Sequence, residues 1–177
     1  MVTFRKPNPL TARAEIRFNM KHEMATFAAG CFWHVQEEFD KTPGVISTVA
    51  GYTGGKTPSP NYNEVLTGKT GHAEALLITY DPSKTSYKEL LKVFFNLHDP
   101  TQLNRQGPDV GTNYRSAIFT HNTGQEKEAK AFVEELIKAG KYKKPIVTQI
   151  QPAEKFYPAE EYHQQYFKKH KGLTCDI

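Results

Sequence analysis

The chain has 177 residues, enough for one domain, and its 38% apolar and 24% charged residues are typical of a globular protein. A formal net charge of +4 without a long basic run does not indicate a nucleic-acid-binding protein. No apolar run is long enough to cross a membrane, and the first residues lack the apolar core of a secretory signal. These features predict a cytoplasmic protein that binds neither nucleic acid nor membrane.

The first residues differ in character from the rest. Residues 1–23 are polar and basic, and Pro7 and Pro9 would interrupt any helix there. We interpret residues 1–23 as an N-terminal extension and residues 24–177 as a single domain. No internal repeat or low-complexity segment divides that domain.

Five strands and four helices are predicted along the domain. Strands are expected at 24–29, 45–51, 72–80, 115–120 and 146–151, and helices at 32–41, 86–98, 123–140 and from about 158 to 170. Thr123 and Glu126 have the spacing of a capping box. The order βαββαβ at the start predicts an α+β fold with a ferredoxin-like split βαβ core. We expect a mixed sheet with helices packed on one face, long functional loops and a C-terminal extension.

Cys31 lies between a predicted buried strand and the first turn of a helix. Unpaired backbone N–H groups and the helix dipole favour an anion there, so the thiol pKa should fall below about 8.5. The alternative is a buried structural cysteine, which is the commoner fate of a lone cysteine. Position alone does not choose between them.

A reactive thiolate would need a partner acid. Lowering a thiol pKa from about 8.5 to about 7 raises the thiolate fraction at pH 7 roughly fifteenfold, but nucleophilicity falls by about fivefold. The electrophile must therefore be activated as well. Glu74 is the leading candidate acid, because small and apolar neighbours at a strand start would desolvate it and raise its pKa. It could instead face solvent and pair with a lysine.

Three loop residues are further candidates. Tyr62 and Tyr114 end the two long polar loops, and a phenol can donate a hydrogen bond to an oxygen that gains negative charge. Each tyrosine could instead pack a loop at the rim of a site. Asp109 lies in the second loop and could simply cap a turn.

Several separated motifs occur in one order between about residues 25 and 170. They are GCFW (30–33), PGV (43–45), AGYTGG (50–55), PNYNEVLTG (60–68), GHAEA (71–75), HDPTQLNRQGPDVGTNYRSAIF (98–119) and FYPAEEYHQQYF (156–167). Together they resemble the methionine sulfoxide reductase A family, the peptide-methionine (S)-S-oxide reductases. Several motifs in the right order are far more specific than any one of them.

The resemblance implies a role for each candidate. Cys31 attacks the sulfoxide sulfur and becomes a sulfenic acid, and Glu74 supplies the proton to the oxygen. Tyr62 and Tyr114 hydrogen-bond that oxygen, and Asp109 supports the site. The implied activity is repair of the S epimer of methionine sulfoxide, protein-bound or free, by a single catalytic domain. No metal or other cofactor is implied.

The resemblance also implies a substrate slot and a recycling route. Phe32 and Trp33 form the apolar wall that holds the substrate methyl group, and a thioredoxin-type reductant restores the thiol. A second thiol resolves the sulfenic acid, and Cys175 is the candidate in this chain. An extended tail after His170 would reach about 17 Å, although Cys175 could equally be idle. We expect a monomer.

Two departures and two alternatives stay open. His34 stands where the family often has glycine, and either adjusts the thiol or faces solvent; Gln36 stands where glutamate is common. A thiol hydrolase would pair Cys31 with a histidine, and the candidates are His72, His98 and His163. A non-enzymatic module that binds oxidised or Met-rich segments is the other alternative. No Cys/His spacing matches a zinc site.

Overall fold

A computed structural model describes residues 22–173 of the chain. The strands are β1 (Glu23–Ala29), β2 (Val45–Thr53), β3 (Ala73–Tyr80), β4 (Arg105–Gln106), β5 (Asp109–Val110), β6 (Ser116–Thr120), β7 (Gln149–Pro152) and β8 (Tyr157–Pro158). The helices are α1 (Phe32–Asp40), α2 (Tyr62–Leu66), α3 (Tyr87–Asn96), α4 (Thr123–Lys138) and α5 (Tyr166–Lys169), with 3-10 turns at Thr112–Tyr114 and Glu161–His163. Cys175 and nearly all of the expected N-terminal extension lie outside the described residues, and Glu23 already belongs to β1.

Six strands form one sheet in the order β7-β6-β1-β3-β2-β8. Neighbouring strands are antiparallel except for the parallel pair β6 and β7, while β4 and β5 form a separate hairpin. This mixed, mostly antiparallel sheet with helices confirms the predicted α+β class. Ala29 pairs with Ser116 at the end of β1, so the chain enters α1 beside the start of β6.

Side-chain alternation assigns each face of the sheet a different core. Phe27 on β1 belongs to the main core with residues of α1, α3 and α4, whereas Ala28 belongs to a smaller cluster with Phe119. On β3, Leu76 also belongs to the main core, and Glu74, two residues earlier, lies on the same face. The acid therefore lies on the face of the sheet that α1 covers.

The helix that follows Cys31 is held by aromatic packing. Phe32, Val35 and Phe39 recur at helical spacing and are all buried. The Phe39 ring stacks on Phe27 with centroids 5.6 Å apart. Burial of each such side chain stabilises the fold by about 1.5–3 kcal/mol, so α1 is anchored independently of the chemistry at its start.

Two local predictions are wrong. The helix predicted from about residue 158 to 170 is instead the edge strand β8, a 3-10 turn and the single-turn helix α5. Gln165 interrupts the predicted helix with a left-handed φ of 55°. The side-chain amide of Gln164 forms hydrogen bonds with the backbone N–H and carbonyl of Ala50 in β2. The predicted capping box is also displaced, because Asn122 rather than Thr123 is the N-cap of α4.

One helix was not predicted. α2 directly follows the first long loop, and Asn61 and Glu64 form a capping box at its start. The helix has five residues and only Val65 is buried, so it carries almost no hydrophobic periodicity that a sequence pattern would reveal.

Candidate active site

Cys31 is the N-cap residue of α1, and its side chain is half-buried. Gly30 places it there with a φ of +91°, and a Cβ at Gly30 would lie 2.7 Å from the Cβ of Gln106. The first turn of α1 contains no acidic side chain. The helix dipole and the backbone N–H groups at this terminus therefore favour a thiolate.

Glu74 is a buried carboxyl that contacts the same helix start. Its side chain is only 2% exposed, and Oε2 accepts a hydrogen bond from the backbone N–H of Phe32 at 3.2 Å. Burial, assisted by the charge of Asp109, outweighs the lowering effect of that hydrogen bond and raises the pKa of Glu74 to about 8. The buried Glu74 Oε1 and Asn113 Nδ2 both lack a hydrogen-bond partner within residues 22–173, although the amide is near enough to lower the carboxyl pKa.

Both candidate tyrosines lie around this carboxyl. Burial, together with the charges of Glu74, Cys31 and Asp109, raises the pKa of Tyr62 to about 12. The pKa of Tyr114 is raised by burial and by the same three groups. Asp109 is half-buried, and desolvation raises its pKa too. The structure thus brings both tyrosines within electrostatic reach of Cys31, Glu74 and Asp109, which were predicted from separate segments.

Phe32 and Trp33 form an aromatic group at the other side of the helix start. The Phe32 ring is buried against Tyr52 and His163, at centroid distances of 5.8 and 5.2 Å. Trp33 stacks on Tyr166 at 3.7 Å, with a 5° angle between the ring planes. Its indole N–H donates to Nδ1 of His163 at 3.0 Å, so the proton of neutral His163 lies on Nε2. Burial lowers the pKa of His163 and favours that neutral form.

Some residues around the candidate site were not singled out from the sequence. Glu160 accepts hydrogen bonds from the Tyr52 hydroxyl at 2.9 Å and from the backbone N–H of Tyr62 at 2.8 Å, so it anchors the start of α2. Burial raises the pKa of Glu160, but these hydrogen bonds lower it below its usual value. Asn113 was also missed, and His163 was considered only as a partner for the thiol. Glu160 and His163 do lie in the motif at 156–167, which was the available signal.

The other candidate histidines have structural contacts. His72 uses Nδ1 to accept from the Gly55 N–H and Nε2 to donate to the Thr57 carbonyl. The ring nitrogens of His98 form hydrogen bonds with the Phe94 carbonyl and the Ser116 hydroxyl. These bonds do not favour a thiol–histidine pair at either residue.

Other features of the chain bear on the remaining expectations. His34 is half-buried and lines an open groove with His98 and residues 141–144, whereas Gln36 is buried and bonds Thr48 in β2. Among residues 22–173, no group of His, Cys, Asp or Glu side chains is arranged to hold a metal ion. In the same part of the chain, no helix is long and apolar enough to span a bilayer.

Comparison with known proteins gives one consistent result. The profile of the family described as peptide methionine sulfoxide reductase matches residues 23–177. A peptide methionine sulfoxide reductase from Geobacter sulfurreducens is 55% identical over 157 residues, which are 89% of this chain and 97% of the relative. The reduced form of Mxr1 from Saccharomyces cerevisiae has a similar structure, with a TM-score of 0.82 at 38% identity over 89% of this chain and 91% of that one. Mxr1 in complex with Trx2 gives a TM-score of 0.60 at 29% identity, covering 84% and 86% of the two chains.

Proposed function

The chain belongs to the peptide methionine sulfoxide reductase family, and we propose that Cys31 is the nucleophile of its reaction and Glu74 the proton donor. The hydrogen bond from the Phe32 N–H to Glu74 is the observation that carries this proposal. It joins the buried acid to the residue directly after the thiol. Nucleophile and acid can therefore act on one sulfoxide group.

The proposed step balances in atoms and electrons. The Cys31 thiolate attacks the sulfoxide sulfur while Glu74 gives its proton to the sulfoxide oxygen. The sulfur–oxygen bond of the substrate breaks, and the oxygen passes to the cysteine sulfur as a hydroxyl. The methionine sulfur gains an electron pair, and Cys31 is oxidised to a sulfenic acid.

The state of Glu74 suits this role. With a pKa of about 8, the carboxyl is mostly protonated at neutral pH. Because Oε2 accepts from the Phe32 N–H, the proton is best placed on Oε1. Oε1 has no hydrogen-bond partner in the described part of the chain, so it can donate to a substrate oxygen.

The tyrosines complete a set of donors for that oxygen. The raised pKa values of Tyr62 and Tyr114 keep both hydroxyls protonated at neutral pH. Each hydroxyl can donate a hydrogen bond as negative charge develops on the oxygen. Asp109 supports the site through its charge, which raises the pKa of Glu74 and helps to hold the proton there.

Phe32 and Trp33 supply the apolar side of the site. A methyl-sulfur group packs well against aromatic ring edges, and the contacts of both rings with His163 fix their positions. Sulfoxide sulfur is a stereocentre, so one rigid slot accepts one epimer. We propose the S epimer, in protein-bound or free methionine sulfoxide, as the family resemblance implies.

We also propose Cys175 as the resolving cysteine, although it lies outside the described residues. Its thiol would attack the sulfenic acid, release water and form a Cys31–Cys175 disulfide, which a thioredoxin-type dithiol would reduce. The solved complex of the relative Mxr1 with Trx2 supports such a partner. Peptide mapping after one turnover should find the disulfide, and a persistent sulfenic acid at Cys31 would contradict it.

Three further assignments concern the fold, the domain bounds and the cellular compartment. The strand order β6-β1-β3-β2 supports a ferredoxin-like split βαβ core, with α1 and α3 as its crossover helices. We further propose that residues 24–177 are the catalytic domain after an extension over 1–23. A reducing compartment such as the cytoplasm suits an enzyme whose thiol must be regenerated.

Reduction of each sulfoxide epimer with dithiothreitol tests the proposed function. Wild-type protein should reduce the S epimer, and Cys31→Ser should abolish turnover. Cys175→Ser is the matched control, since it removes a thiol outside the proposed attack and should keep the dithiothreitol-dependent rate while losing the thioredoxin-dependent one. Ester cleavage without a reductant would favour the hydrolase, and sulfoxide binding without turnover would favour the binding module.

A further inference from the structure

Arg115 is a buried cation that has no role in the reaction described above. Only 8% of the residue is exposed. Its Nε donates to Gln149 Oε1 at 3.2 Å and its Nη1 to the Thr112 carbonyl at 2.8 Å. Its Nη2 donates to the carbonyls of Gly71 at 3.1 Å and Gly54 at 3.4 Å. One side chain therefore joins three separate backbone segments.

Each of these segments carries one of the proposed donors. The 3-10 turn that begins at Thr112 contains Tyr114. The segment at Gly71 leads directly into β3 and Glu74. The loop at Gly54 leads to α2, whose first residue is the other candidate tyrosine. The guanidinium thus lies where the three loops that form one side of the site converge.

Two of the loops pack against each other through their backbones. A Cβ at Gly55 would overlap the backbone nitrogen of His72, and the N–H of Lys56 donates to the Thr70 carbonyl at 3.0 Å. A side chain larger than hydrogen at position 55 would separate the loops. This close approach is what lets one guanidinium nitrogen reach a carbonyl on each loop.

The charge of Arg115 is balanced by carbonyl dipoles rather than by a carboxylate. None of the ion pairs within residues 22–173 includes it, and burial lowers its pKa. A loop that moved away would leave a buried N–H of a charged group unsatisfied, which is costly. A lysine has a single charged nitrogen and lacks the planar fork of donors that spans these carbonyls.

We propose that Arg115 is a positioning residue that holds Glu74, Tyr62 and Tyr114 in one arrangement around the sulfoxide oxygen. The inference rests on the roles proposed above for these three residues. In this proposal Arg115 acts through the three segments that it joins and not through the substrate. It makes no hydrogen bond to α1, which begins at the thiol and carries Phe32 and Trp33.

Arg115→Lys is the direct test, because it keeps the charge and removes the fork. The single-turnover rate at saturating sulfoxide should fall about 10- to 100-fold, since a small displacement of reacting groups costs this much. The KM should change little, because Phe32 and Trp33, which hold the substrate methyl group, are positioned by contacts that do not involve Arg115. The rate of Cys31 alkylation by iodoacetamide should stay within about twofold of wild type, because it follows the thiolate and its exposure.

Gln125→Ala is a matched control for lost stability. Gln125 is buried and donates to the Met24 carbonyl at the end of β1 far from Cys31. Its loss should lower the melting temperature and leave the single-turnover rate unchanged. If Gln125→Ala slows turnover as much as Arg115→Lys at a similar loss of stability, Arg115 supports only the fold.

A double variant separates positioning of the acid from general damage. If Arg115 acts by aligning Glu74 and its neighbours, Arg115→Lys should lower the single-turnover rate of the Glu74→Gln variant by a much smaller factor than it lowers the wild-type rate. The proposal would be overturned if the rate loss of the double variant equalled the product of the two single losses. It would also be overturned if Arg115→Lys slowed Cys31 alkylation as much as turnover.

A milder variant covers the case in which Arg115→Lys does not fold. Gln149→Ala removes the side-chain oxygen that accepts a hydrogen bond from Arg115 Nε. Gln149 is exposed, so the fold should tolerate the change. The single-turnover rate should fall about threefold, and this loss should be smaller when Glu74→Gln is also present. An unchanged rate would count against the proposal. If wild-type protein does not reduce sulfoxide, or Glu74→Gln keeps the wild-type rate, it is the proposed function or the role of Glu74 that fails.

Discussion

The backbone N–H of Phe32 and the carboxyl of Glu74 form a 3.2 Å hydrogen bond between residues 42 apart in sequence. This bond joins the first turn of α1 to β3 beneath it. An ionised Glu74 would place a buried negative charge beside a thiolate at Cys31, and like charges at close range disfavour each other. A neutral Glu74 therefore favours the thiolate, so the acid and the nucleophile are most active in the same protonation state of the site.

Glu74→Gln should lower the single-turnover rate of sulfoxide reduction about 100-fold or more. Glutamine keeps the shape and can still accept from the Phe32 N–H, but its amide has no acidic proton to transfer. The rate can be followed as methionine formed by prereduced enzyme. Glu134→Gln, on the exposed surface of α4, is the matched control and should leave the rate unchanged. A variant at position 74 that keeps most of the wild-type rate would show that another group supplies the proton.

The pH dependence of the single-turnover rate should show a fall above a pH of about 8. The pKa of Glu74 is raised, so the carboxyl holds its proton below that pH and loses it as the pH rises through it. The raised pKa values of Tyr62 and Tyr114 keep both hydroxyls protonated over the same range. Stopped single-turnover assays between pH 6 and about 10 would measure this limb. In Glu74→Gln the limb should disappear, and its persistence would assign it to another group.

Sequence reasoning located the thiol because the information there is local. The apolar run of β1 and the spacing of Phe32, Val35 and Phe39 place a strand–helix junction at Cys31. The orientation of Glu74 was not predictable in this way. Its neighbours on both faces of β3 are apolar and buried, so alternation does not show which face carries α1.

The contacts around the aromatic slot depend on long-range packing. His163 accepts from Trp33 across 130 residues of sequence, and nothing near either residue signals that pairing. The same applies to the C-terminal segment, which resembles a helix in its pattern. Hydrogen bonds from the Gln164 side chain to Ala50 and pairing of β8 with β2 outweigh the local helical preference.

His163→Leu should raise the KM for methionine sulfoxide more than it lowers kcat. The substitution leaves the half-buried Trp33 N–H without its acceptor, and an unsatisfied buried donor costs about 1–3 kcal/mol. The indole should then shift from the slot that holds the substrate methyl group. His163→Gln is the matched control, since its amide oxygen can replace Nδ1 as acceptor and should restore most of the affinity. Steady-state kinetics of both variants decide the matter, and an effect on kcat alone would place His163 in proton transfer instead.

Gly30→Ala should reduce both stability and activity. Gly30 has a φ of +91°, and its new Cβ would lie 2.7 Å from the Cβ of the buried Gln106. Backbone strain and this contact together should cost about 2 kcal/mol or more of unfolding free energy, and relief of the contact would displace Cys31. Gly140→Ala is the matched control, because its φ is +61° with nothing within 4 Å of a Cβ, so it should cost about 1 kcal/mol and leave turnover unchanged. Urea unfolding and single-turnover rates of the two variants provide the comparison. Equal stability losses with full activity in both would show that Gln106 yields easily and that Gly30 does not control the position of the thiol.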